Sequence, residues 1–79
     1  MLKAKQSLEQ YLAEICDRIV LDNDKCKKIY NYANKTYKIP KGLVSDLIAK
    51  RMEMSEVSEF VLFILLDSIC NIEKTPLYL

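Results

Sequence analysis

The sequence predicts an all-α fold, a small bundle of about four helices, and three observations carry that expectation. Apolar residues recur at three- and four-residue steps in four separate stretches, the spacing that lines one face of a helix. Residues with capping chemistry stand at the starts of most of these stretches. The chain holds a single glycine, Gly42, and two prolines, Pro40 and Pro76, too few for the many tight turns of a β fold.

The first helix is expected over 7–21. Ser7 and Gln10 have capping-box spacing. Leu8, Tyr11, Leu12, Ile15, Cys16, Ile19 and Val20 then share one face, with a Glu14–Arg18 pair on the other. Asp22, Asn23 and Asp24 break this helix and cap a second, expected over 24–37. Its inward stripe is Cys26, Ile29, Tyr30, Ala33 and Tyr37. The helix stops before Pro40, which disfavours helical geometry at Ile39. A third helix is expected over 42–52, with Leu43, Val44, Leu47, Ile48 and Met52 inward and Asp46 paired to Lys50. Ser55 reads as the cap of a fourth, over 56–72, with Glu56 and Glu59 in the favourable first turn.

The fourth helix is apolar nearly all round, including the unbroken run Phe60–Leu66. Such a helix must be covered on most sides. Either the other three helices cover it or a second copy of the chain does, so the bundle is open to dimerisation. Phe60, Phe63 and Leu66 are the candidate self-association residues. The expected core is Leu12, Ile15, Ile19, Ile29, Leu47, Ile48, Phe60, Ile64 and Leu66.

At 79 residues the chain is read as one helical domain, 1–79, with no room for a second core. The apolar run is far shorter than the roughly 20 residues a membrane-spanning helix needs, and no signal-peptide pattern follows Met1. Three cysteines, Cys16, Cys26 and Cys70, form no even set and no Cys-x-x-Cys pair. They read as reduced, buried thiols in a cytoplasmic protein.

The chain has no histidine, which removes the commonest general base and metal ligand. One glycine cannot build a phosphate loop. The expectation is therefore no catalytic, cofactor-binding or metal-binding residues and no small-molecule substrate. Asp22 and Asp24 could hold a hard cation, but the reading as a helix cap explains them better.

Charge is uneven although the net is +1. Between Lys25 and Lys41 there are six lysines and no acid. Lys27, Lys28, Lys35 and Lys38 lie off the apolar stripe and should be exposed, with Tyr32 on the polar side beside them. These five are the candidate partner-binding surface. It would suit an acidic protein or a nucleic acid, while the plain alternative is a solvated face that suits the helix dipole. The alternation of Lys35, Tyr37 and Ile39, followed by Pro40, a short helix and Met54-Ser55, distantly resembles the ribbon-helix-helix repressors. That resemblance implies a strand at 35–39 entering the major groove. The helix after Pro40 is about two residues short for that family, and Lys50 and Arg51 fall where its core residues belong. A helix-turn-helix at 44–66 would put Phe63 and Leu66 where a reading helix needs polar groups. The favoured expectation is thus a non-enzymatic interaction or regulatory module that self-associates, with a nucleic-acid-binding regulator as the alternative. The apolar end Leu77-Tyr78-Leu79 could pack on the bundle, dock onto a partner, or mark a cut from a longer chain.

Overall fold

A computed structural model describes residues 2–74; the Leu77–Leu79 end lies outside them. Four α-helices follow one another: α1 (Leu2–Ile19), α2 (Asn23–Tyr37), α3 (Lys41–Ile48) and α4 (Glu59–Glu73), with one 3-10 turn, Met54–Glu56, before α4. No strand occurs among the described residues. No described helix is long and apolar enough to cross a membrane.

α1 begins five residues before the expected start. Lys3, Ala4, Lys5 and Gln6 are good helix formers, and nothing before Ser7 interrupts them. Ser7 and Gln10 are consequently exposed residues inside the helix, not its cap. Leu8, Leu12, Ile15, Cys16 and Ile19 are buried as expected. Tyr11 and Val20 are exposed: Tyr11 sits at the edge of the stripe, and the helix has ended by Val20. Among the described residues Glu14 and Arg18 form no salt bridge.

α2 matches the sequence reading most closely. Asp22 is its N-cap, and the Asp22 carboxylate accepts the Lys25 N–H at 3.0 Å. Ile29 and Ala33 are fully buried, and Cys26 and Tyr30 pack against the core. The helix ends in a left-handed residue, Lys38, at φ 62°. The Asn34 side chain donates to the Ile39 carbonyl at 3.0 Å and fixes the exit toward Pro40. Residues 35–39 therefore hold the end of a helix and its turn. That removes the strand on which the ribbon-helix-helix resemblance depends.

α3 stops at Ile48, four residues before Met52. Lys50 adopts φ 60°, and the amides of Lys50 and Arg51 return to the carbonyls of Leu47 and Asp46, a Schellman-type closure that satisfies the helix end. This turn carries Lys50 away from Asp46 and onto Asp17 of α1, where the two form a salt bridge.

The cap of α4 is Ser58, whose hydroxyl accepts the Val61 N–H at 3.3 Å. Ser55 instead lies in the 3-10 turn. Val57 and Leu62 stand at the two positions of a hydrophobic staple, and both belong to the core. Leu62, Ile64, Leu65, Leu66, Ser68 and Ile69 are buried. The Ser68 hydroxyl is satisfied by the Ile64 carbonyl at 2.7 Å, the usual answer for a polar group inside a helix. α4 is thus covered chiefly by α2 and α1 of its own chain, which removes the need for a second copy to complete the core.

Candidate interaction surface

The surface starts from the one side of α4 that the bundle leaves open. Phe60, Phe63, Asp67 and Asn71 follow each other at steps of three and four, and so form a single outward stripe. Along it Phe60 is 68 % exposed and Phe63 37 %. Phe60 was expected in the core. With Ser58 as the cap, it becomes the second residue of α4, on the side opposite the buried arc of Leu62, Leu65 and Ile69. Leu66 was expected to take part in self-association. It is fully buried, a further step round the helix from Phe63, and cannot meet a partner while the chain is folded.

α2 packs antiparallel to α4. Lys25, at the start of α2, binds Glu73, at the end of α4, at 3.0 Å, and this carboxylate raises the lysine pKa through its hydrogen bond and charge. Further along, the hydroxyls of Tyr37 and Tyr32 both donate to Asp67 Oδ2, at 2.6 and 3.5 Å. The two rings meet edge to face with centroids 6.5 Å apart, a favourable aromatic geometry. Tyr37 was expected in the core stripe of α2 and is 37 % exposed instead. Its hydroxyl brings the ring to the same edge as Phe63, one turn before Asp67. Three aromatic side chains, Phe60, Phe63 and Tyr37, therefore mark the open side of the α2–α4 pair.

Asp67 has a measurable consequence. Its hydrogen bond, with burial and its charge, pushes the Tyr37 pKa up to about 12. The folded value is raised above the unfolded one, so the stabilisation is fully present below about pH 10 and is lost as pH rises through about 12. We expect one tyrosine to ionise last in an ultraviolet titration. Asp67→Asn should bring that step back toward the ordinary value. An unchanged late step in the variant would mean that Asp67 does not hold Tyr37.

The four lysines of the predicted surface, Lys27, Lys28, Lys35 and Lys38, are all exposed. Lys28 is held by Asp24 one turn earlier at 3.4 Å. Among the described residues no salt bridge reaches Lys27, Lys35 or Lys38. Tyr32 stands one turn after Lys28 and one turn before Lys35 on the same helix. It is half-buried, and its hydroxyl reaches Asp67 of α4.

The chemistry elsewhere is quiet. Cys16 is fully buried, and burial pushes its thiol up to about 12, far from the thiolate that reactivity requires. Cys26 is half-buried and its Sγ donates to the Ile19 carbonyl at 3.3 Å; burial, then Asp22, raises its pKa as well. Among the described residues no cluster of three or more cysteine, aspartate or glutamate side chains could hold a metal ion.

These features define a four-helix protein with one aromatic edge and one basic face. Compared with protein-family models, curated proteins and solved structures, the chain matches no family, no curated relative and no solved structure.

Proposed function

We propose that this protein is a non-enzymatic interaction module that associates with a second copy of itself through the aromatic edge of α4. The observation that carries the reading is the exposure of Phe60 and Phe63 on adjacent turns of a helix whose remaining large apolar residues are buried or half-buried. Exposed neighbouring aromatics are the residue type and arrangement that dominate binding energy at interfaces. A second copy suits them because an aromatic edge needs no charge complement. Under a two-fold axis, Phe60 of each copy packs on Phe63 of the other.

The edge is small beside the roughly 800 Å² per partner of a standard stable complex. Association should therefore be weak and concentration-dependent. The reduced thiols of Cys16 and Cys26 suit a reducing, cytoplasmic setting. The basic face gives polyanion binding less support, since Tyr32, the aromatic residue among the lysines, is half-buried with its hydroxyl on Asp67.

Sedimentation equilibrium across a concentration series tests the proposal. The native chain should shift from monomer toward dimer mass. The double variant Phe60→Ser, Phe63→Ser should stay monomeric with unchanged helicity, because neither ring is part of the core. Monomer mass for the native chain at every concentration would reject self-association.

A further inference from the structure

We propose that the groove between α2 and α3 is a binding site for a small phosphate monoester. The groove encloses about 290 Å³ and is lined by Asn23, Lys27 and Tyr30 of α2, by Ser45 of α3, and by Arg51 just beyond it, over a floor that includes Ile48. No lining residue comes from α4, so the site is separate from the aromatic edge.

Three features of the groove point to an anion. First, each of the five named polar side chains can donate a hydrogen bond, and no carboxylate lines the groove. Second, neither of its two cations is paired with an acid, although cations beside them are. Lys25 is paired with Glu73, Lys28 with Asp24 and Lys50 with Asp17, whereas among the described residues no salt bridge reaches Lys27 or Arg51. Sequence neighbours on either side are neutralised, and the pair facing the groove is not. Third, the nearest capping carboxylate, Asp22, is turned into the start of α2 by its bond from Lys25 N–H. Cys26, also in the lining, stays a neutral thiol.

The donor set selects a phosphate over a carboxylate. Two positive charges match the near-dianionic charge of a phosphate monoester, and a guanidinium binds two of its oxygens in a planar fork. Asn23, Tyr30 and Ser45 supply further donors for a group that presents three acceptor oxygens. The volume is near the lower end of small-molecule pockets, which run from about 300 Å³ upward. That leaves space for a small organic group against the Tyr30 ring and Ile48. The absence of histidine and of a glycine-rich loop pointed away from a small-molecule ligand, and the groove needs neither: Lys27 and Arg51 are far apart in the chain and only the fold brings them together.

Phenyl phosphate and inorganic phosphate are suitable probes, followed by backbone amide shifts in NMR titrations of the full chain. Phenyl phosphate should give saturable shifts confined to the groove residues. Lys27→Gln and Arg51→Gln should each weaken it about tenfold, the effect of losing one charge-assisted hydrogen bond. Lys35→Gln, which removes an exposed lysine of α2 outside the groove, should change affinity less than about twofold. Inorganic phosphate should bind the same residues more weakly. Absence of saturable groove shifts would overturn the site. An equal loss in Lys35→Gln would replace it with general attraction to the basic face. Equal affinity for inorganic phosphate would overturn the monoester assignment.

Discussion

Leu66→Ala is expected to lower stability by about 2–5 kcal/mol, the range for deleting a buried leucine side chain without full collapse of the cavity. Leu66 is fully buried in α4, and it lies in the helix that α1 and α2 pack upon. A chain of this length has a total stability of order 0.05–0.15 kcal/mol per residue, so the variant should sit near the edge of folding. Phe60→Ala, in the same apolar run, should stay within about 0.5 kcal/mol at concentrations where the chain is monomeric. Urea unfolding of both variants checks the contrast through the shift in midpoint. Equal losses at the two positions would contradict the burial pattern of α4.

The second large effect is expected at Ala33. Its methyl group is fully buried on the stripe of α2, between the Lys25–Glu73 and Tyr37–Asp67 links that fasten α2 along α4. Ala33→Leu adds three carbons where there is no space. Overpacking of this kind costs about 1–3 kcal/mol through displaced side chains and backbone. Because α2 must shift to admit the leucine, the effect should reach the open edge as well. The late tyrosine step set by Asp67 should move down toward the ordinary value in the same variant. Thermal unfolding together with the ultraviolet titration would show both changes. A destabilised variant with the late step intact would mean that the strain is absorbed elsewhere.

Sequence reasoning succeeded where a local signal carries its own physics. Asp22 announces α2 because its carboxylate can satisfy an amide nowhere else, and Pro40 marks the limit of that helix. Among the nine residues expected in the core, Phe60 alone proved exposed. The exit of α3 was not legible, because a lysine at positive φ carries none of the signal that glycine would. The open edge was legible in part. Asp67 and Asn71 are polar residues of α4 at one face, and stepping back from Asp67 by four and then three reaches Phe63 and Phe60. Hydrophobicity alone concealed this, since phenylalanine reads as core wherever it stands. The α2–α3 groove was not legible at all. It depends on which acids the fold assigns to Lys25 and Lys50, and that is a matter of tertiary pairing.

Lys38, Lys50 and Lys74 all hold positive φ at or just past the ends of α2, α3 and α4. The lone glycine, Gly42, lies instead in the first turn of α3, where a methyl group would meet nothing within 4 Å and its φ is not positive. Left-handed geometry costs a side-chain-bearing residue about 1 kcal/mol that glycine avoids, while glycine inside a helix costs about 0.5–1 kcal/mol against alanine. The chain thus keeps its flexible residue where rigidity would serve and its lysines where flexibility would. Exchanging them lies within reach of single substitutions and alters none of Phe60, Phe63, Tyr37, Lys27 or Arg51. A lineage carrying this fold therefore has ready compensation for destabilising changes at its surfaces, and room for those surfaces to diverge while the bundle persists.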